Sequence, residues 1–213
     1  MKNRQKLPEQ VWNLFQEQEQ LTDQQVKQFQ CYEEFLSKNN QEFNLTAIID
    51  LSGIVRQHFT DSMAIRKFFD FSKITTIADI GTGAGFPAIP LKILFPHLSV
   101  VLIEVTRKKR QFLAELIELL AIENVEICEF DWRTFLRITE FPVDLFVTKA
   151  ALDVSELCRA FKPSCRYKQA TIIYWASEAW EPDLKIVPFI RTIESYKLGA
   201  KRRQLIFFGL PQE

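Results

Sequence analysis

Residues 78–91, ADIGTGAGFPAIPL, place Gly81, Gly83 and Gly85 within five positions, directly after the apolar, β-branched run ITTIADI. Glycine packs nothing and loses backbone entropy on folding, so such a cluster marks a place where a ligand comes close to the main chain. Asp79 precedes the first glycine by two residues, and Glu104 closes the next apolar run, SVVLIE. Two ligand chemistries compete for a loop of this kind. A dinucleotide pyrophosphate calls for G-x-G-x-x-G and no facing carboxylate. Here Phe86 stands in the third glycine's place and Gly85 comes one residue early. An acid at the strand end instead suits a sulfonium cofactor that carries an ammonium, so S-adenosylmethionine fits better than NAD. A carboxylate after the second strand offers two acceptor oxygens to vicinal ribose hydroxyls, the role expected of Glu104. Asp131, just past VEICEF, can accept from an adenine amino group with Trp132 packed on the ring. Asp131 can equally be the N-cap of a helix in WRTFLRI.

These residues need elements to hold them. The first seventy residues read as helices. LTDQQVKQFQCYEEFL carries a capping box, Thr22 with Gln25, followed by Val26, Phe29, Tyr32 and Leu36 at helical spacing. A shorter amphipathic helix with Val11, Trp12, Leu14 and Phe15 opens near Pro8. FNLTAI breaks the period, and LSGIVRQHFTDSMAIRKFF restores it through Ile54, His58, Phe59, Ser62 and Ile65. From about residue 74, strands in ITTIADI, LSVVLIE, VEICEF, VDLFVTKA and QATIIYWA alternate with helices in PAIPLKILFP, RKKRQFLAELIELLAIEN and DVSELCRAFK. That alternation predicts βαβ units and a parallel sheet. IVPFIRTIESYKL and RRQLIFFGL, separated only by GAK, predict an antiparallel hairpin that closes it. The expectation is an α/β, Rossmann-like fold. It has a mostly parallel seven-stranded sheet, a C-terminal antiparallel hairpin, and a helical extension over residues 1–72 packed on a main domain of residues 73–213.

The chain of 213 residues has 27 Lys plus Arg against 27 Asp plus Glu. A net charge of zero speaks against an extended basic surface and leaves room for local patches. With 47% hydrophobic residues, 19 of the 213 being Phe, it can bury a substantial core and is not a disordered chain. Cys31, Cys128, Cys158 and Cys165 form no C-x-x-C pair, and His58 and His97 are the only histidines, so no zinc set can be assembled. Free buried thiols in a reducing cytosol are expected. The opening MKNRQKLPEQVWNLF lacks an apolar signal core, and no run of about 18 apolar residues occurs. The expectation is a soluble, cytoplasmic protein with no metal and no membrane contact.

Taken with NLT at 44–46, HFTDS at 58–62 and the run GTGAGFPAIPL, the sequence resembles the bacterial 16S ribosomal RNA guanine-N7 methyltransferase family, also called glucose-inhibited division protein B. The resemblance spans residues 8–210, and GTGAGFP followed by IPL is its most specific part. It implies a class I methyltransferase that moves a methyl group from S-adenosylmethionine to N7 of one guanine in 16S rRNA, with the small ribosomal subunit as partner and a monomer as the working unit. N7 carries an in-plane lone pair and needs no proton removed, so positioning can suffice. The family pattern assigns Asp79, Gly81, Gly83, Gly85 and Glu104 to the cofactor shell, with Phe86 and Pro87 shaping the loop. It sets Thr46, His58, Asp61, Ser62 and Lys149 around the methyl-transfer pocket. His58 can also be a core histidine and Thr46 a turn cap.

Some positions depart from the pattern. Lys149 in Thr148-Lys149-Ala150 replaces an arginine, keeping the charge and losing the planar fork. Gln57, Ala176 and Glu178 stand where cations or a Lys-Gly pair are usual, and Ala88 replaces a glycine. Two further readings therefore stay open: a divergent relative that binds cofactor or RNA without turnover, and a methyltransferase for another RNA or a small molecule. Basic clusters at Arg107, Lys108, Lys109 and Arg110, at Arg159, Lys162, Arg166 and Lys168, and at Lys197, Lys201, Arg202 and Arg203 are candidate phosphate contacts. The first of them can equally be a solvated helix start.

Overall fold

A computed structural model describes residues 7–149, 152–161 and 163–209. Pro8 occupies the first position of α1 (Pro8–Glu19), and Thr22 with Gln25 forms the capping box of α2 (Asp23–Phe43). The α2 stripe of Val26, Phe29, Tyr32 and Leu36 is buried as its spacing predicts. Asn44 ends α2 in the left-handed region. Across this break Asn40 accepts from the N–H groups of Leu45 and Thr46, both at 2.9 Å, and donates to the Thr46 carbonyl at 2.7 Å. The NLT segment is held by that one side chain.

The next stretch departs from the regular helical period read in the sequence. It divides into α3 (Leu51–Ile54), a π turn (Val55–Thr60), α4 (Asp61–Met63) and a 3-10 turn (Ala64–Lys67). The Asp61 N–H reaches back five residues to the Arg56 carbonyl. Apolar spacing does not register a widened turn; the tertiary partners of His58 and Asp61 set it, and π turns of this kind gather at functional sites.

Seven strands follow: β1 (Thr76–Ile80), β2 (Ser99–Ile103), β3 (Val125–Cys128), β4 (Leu145–Thr148), β5 (Thr171–Ser177), β6 (Ile190–Leu198) and β7 (Lys201–Phe208). Their order is β3-β2-β1-β4-β5-β7-β6. The first five are parallel, and β7 runs antiparallel to both β5 and β6. The segment IVPF, read as the start of a strand, is a 3-10 turn over Val187–Phe189, where Pro188 has no N–H to give a ladder.

α5 (Ala88–Leu94) and α6 (Arg107–Leu119) cover one face of the sheet together with α1 and α2, in one buried apolar cluster. α7 (Trp132–Ile138) and α8 (Val154–Ala160) cover the other. A chain of rings ties the N-terminal helices to the glycine loop: Phe15 to Phe29 at 5.2 Å, Phe29 to Phe59 at 4.8 Å, Phe59 to Tyr32 at 5.2 Å and Tyr32 to Phe86 at 5.3 Å. Ring pairs in this range add about 0.5–1.5 kcal/mol each beyond the area they bury. All four cysteines are free thiols; against the expectation, only Cys158 is buried and Cys31 is exposed on α2.

Candidate cofactor and methyl-transfer site

The strand order reverses between β1 and β4, and at such a point ligands lie against the carboxyl ends of parallel strands. Gly81, Gly83 and Gly85 all have positive φ there, +69°, +60° and +100°. Gly85 is glycine because of its neighbours: a Cβ would stand 2.7 Å from Ile89 Cγ1 and 2.8 Å from the Tyr32 hydroxyl. That hydroxyl donates to the Ala84 carbonyl at 2.5 Å, so α2 clamps the loop from behind. Gly83 is different, because its nearest neighbour would be the Gly81 carbonyl at 3.9 Å. The space in front of Gly83 is open.

Asp79, at the end of β1, is fully buried. Its Oδ2 accepts from Thr82 Oγ1 at 2.8 Å and from the Ala88 N–H at 3.1 Å, while Oδ1 is buried without a partner. Burial drives its pKa up to about 8; the Thr82 and Ala88 bonds oppose this, and the Glu104 charge adds to it. Glu104 follows β2 and joins two loops: Oε2 accepts from the Gly83 N–H at 3.1 Å and Oε1 from the Thr106 N–H at 2.8 Å.

Next to this loop, Lys149 emerges from β4. Its ammonium donates to Asp61 Oδ2 at 2.7 Å and to the Gln57 carbonyl at 2.8 Å, with the side chain 14% exposed. Burial pulls the Lys149 pKa down, and the Asp61 charge holds it up. Asp61 is fully buried and has further partners from the end of the chain. Tyr196 donates to Oδ1 at 2.5 Å, Arg203 approaches Oδ2 at 3.6 Å, and Trp175 donates to the Asp61 carbonyl at 2.8 Å. His58 stacks on Phe86 at 4.5 Å with the ring planes 9° apart, and its Nε2 lies 2.7 Å from Thr46 Oγ1. Burial, then the Lys149 charge, lowers its pKa to about 4, so the imidazole is neutral at pH 7. His58 Nδ1 and Ser62 Oγ are buried without partners.

The structure thus brings Thr46, His58, Phe86, Asp61 and Lys149 into one cluster beside Asp79, Gly81, Gly83, Gly85 and Glu104. Asp131 is the N-cap of α7: Oδ1 accepts from the Arg133 N–H at 2.9 Å and Oδ2 from Thr134 Oγ1 at 2.8 Å. Trp132 is half-buried under the Arg133 guanidinium, 4.5 Å from the ring centroid. Of the third basic cluster, Arg203 turns inward to Asp61. Ala150 and Lys162 lie outside the described residues. Among the described residues, no group of three or more His, Cys, Asp or Glu could hold a metal, and no helix is long and apolar enough to cross a membrane.

The family profile described as GidB, rRNA small subunit methyltransferase G, matches residues 25–182. The chain belongs to this family. The GidB match takes in the glycine loop, the His58–Ser62 segment and Lys149; Tyr196 and Arg203 lie beyond it. Ribosomal RNA small subunit methyltransferase G of Lysinibacillus sphaericus is 46% identical over 196 residues, 91% of this chain and 80% of that protein. The protein of the same name from Aster yellows witches'-broom phytoplasma is 47% identical over 105 residues, 49% of this chain and 50% of that protein. The chain therefore spans about half the length of that relative. Among solved structures, a variant of MtNAS in complex with S-adenosylmethionine has a TM-score of 0.56 at 17% identity, covering 86% of this chain and 72% of that one. A ribosomal protein L11 methylase from Lactobacillus delbrueckii has 0.56 at 18%, covering 72% and 79%. At such identities these two share the fold with the GidB chain.

The site roles missed in the sequence are those of Tyr196, Trp175 and Asn40, of Tyr32, read only as part of the α2 stripe, and of Arg203, read as a phosphate contact. Tyr196 had one faint signal, an apolar-side position in a strand whose neighbours Ser195 and Lys197 are exposed.

Proposed function

We propose that this chain transfers a methyl group from S-adenosylmethionine to N7 of a guanine in 16S rRNA of the small ribosomal subunit. Asp79 Oδ1 carries this reading: a buried carboxyl oxygen without a partner, next to a glycine whose missing side chain leaves the loop open. A ligand ammonium fits that oxygen, and the sulfonium cofactor of GidB proteins has one. The rRNA substrate follows the names of the relatives, and N7 follows the family resemblance.

When bound, S-adenosylmethionine supplies an electrophilic methyl group on sulfur. Asp79 would take its ammonium and Glu104 its ribose hydroxyls, the latter carboxylate already oriented by two backbone N–H groups. Gly81, Gly83 and Gly85 would let the ligand lie on the main chain, and Asp131 and Trp132 would flank the adenine from the start of α7. Lys149 has three ammonium protons, and Asp61 and Gln57 take two. The third can donate to guanine O6, which shares an edge with N7, leaving the N7 lone pair free to attack. The His58 ring, backed by Phe86 and buttressed by Thr46, offers a flat wall for the base. N7 has no proton to lose, so His58 serves as a neutral positioning group. We further propose that residues 1–72 are an extension built onto the methyltransferase domain of residues 73–213, and that a cytoplasmic monomer does the work.

Calorimetric titration with S-adenosylhomocysteine, followed by methyl transfer to 30S subunits lacking N7-methylguanine, tests the reading. Binding and transfer are both expected. Lys149→Ala should lower transfer at least about a hundredfold, the range for losing one stabilising donor, and leave cofactor affinity within about threefold. Binding without transfer would favour a relative that has lost turnover, and no binding would overturn the cofactor site.

A further inference from the structure

Apart from Trp132, the site described above makes no use of a basic groove on the sheet face opposite α5 and α6. It lies between α7 and α8, holds about 520 Å³, and is lined by Trp132, Arg133, Arg137, Glu156, Arg159 and Arg166 among others. α7 begins just past β3 and α8 just past β4, so both helices start at the carboxyl edge of the sheet, where Asp79 and Lys149 also stand. Trp132, Arg133 and Glu156 come from the first turns and Arg137 and Arg159 from the last. The groove therefore runs away from the methyl-transfer edge for about 10 Å, seven residues at 1.5 Å each.

Its charges are uneven along its length. Arg133 pairs with Glu156, and Arg166 with Glu140. Arg137 and Arg159 are exposed and make no ion pair among the described residues. The capping carboxylates Asp131 and Asp153 act on Arg133 at the carboxyl-edge end of the groove, so the two arginines without an ion pair, Arg137 and Arg159, make its far end the basic one. The core does not need them: α7 and α8 bury Phe135, Leu136, Val154, Leu157 and Cys158. In the last turn a cation also favours the helix end, but that local role does not require two helices to face theirs into one groove. Guanidinium forks match phosphate oxygens two at a time.

We propose that the α7–α8 groove is a second contact with rRNA, holding the sugar-phosphate backbone of nucleotides that flank the target base. The proposal rests on the rRNA reading above and adds a place where the substrate strand leaves the pocket. The test compares the full chain with an Arg137→Gln, Arg159→Gln double variant, binding to 30S subunits that lack N7-methylguanine, from 50 to 200 mM KCl. Each lost phosphate contact lowers the slope of log affinity against log salt by about one, so the double variant should lose about two units of slope. Its affinity should fall about tenfold near 100 mM salt. S-adenosylhomocysteine affinity and kcat at saturating subunits should stay unchanged while KM rises. An Arg137→Lys, Arg159→Lys variant should keep the slope, since the charges remain. A double glutamine variant with wild-type slope and affinity would overturn the groove alone. A wild-type chain that neither binds nor methylates the subunit would overturn the rRNA reading, and the groove with it.

Discussion

Lowering the pH from 7 to 6 should weaken cofactor binding about tenfold through one buried carboxyl group. Asp79 ionises near pH 8, far above its ordinary 3.8. At pH 7 it is therefore mostly protonated. Oδ2 is already the acceptor of two hydrogen bonds, which leaves Oδ1 to carry the proton. A ligand ammonium needs the carboxylate, so binding must expel that proton. Between pH 6 and 7 the ionised fraction rises about tenfold, and the dissociation constant should fall by the same factor, about 1.4 kcal/mol. Above pH 8 the gain stops. The ligand's α-amino group, with an ordinary pKa of about 7.7–8.0, then loses its own charge and affinity turns over. Calorimetry at pH 7 in buffers of different ionisation enthalpy should report close to one proton released per site. Asp79→Asn should bind weakly, with no pH slope and no proton release. Flat wild-type affinity from pH 6 to 7 with no buffer dependence would refute the assignment. The same shift has a stability sign. The folded pKa is raised, so the stabilisation from Asp79 is complete below 3.8 and is lost as pH rises through about 8.

Gly85→Ala should lower stability by about 2–4 kcal/mol in urea, since its Cβ collides with Ile89 and Tyr32 at a φ of +100°. Gly83→Ala should lower it by only about 1–2 kcal/mol, the strain of φ +60° in open space, yet lose most cofactor affinity; the reverse order of stabilities would sink this account of the loop. Tyr196→Phe leaves Asp61 Oδ1 buried without its donor and should lower stability by about 1.5–3 kcal/mol, an effect that an unchanged urea midpoint would disprove.

Features encoded within a few neighbouring residues were legible. The Thr22–Gln25 box, the apolar stripe of α2 and the β-α alternation from residue 74 all appear where their periods point, and the glycine loop lies at the switch point. Asp131 shows the limit of such reading. Cap and ligand roles ask for the same carboxylate at the same place, and in the structure that carboxylate caps α7. The residues 51–67 show another limit, because a π turn depends on contacts that apolar spacing does not contain. Tyr196, Trp175 and Arg203 meet Asp61 from more than a hundred residues away, so no local pattern could have gathered them. Arg203 in particular reads as one more basic residue near a hairpin turn until its partner is seen.

That meeting at Asp61 also sets an order of events during synthesis. Domains form from the N-terminus as the chain is made, and contacts of large sequence separation close last. The aromatic bridge among Phe29, Tyr32, Phe59 and Phe86 can form once about two fifths of the chain has emerged. Asp61 must then wait for Trp175, Tyr196 and Arg203, leaving a carboxylate destined for burial without its last donors. A growing chain therefore has its glycine loop before the support for Lys149 is complete, and the Asp61 cluster closes only with the last hairpin.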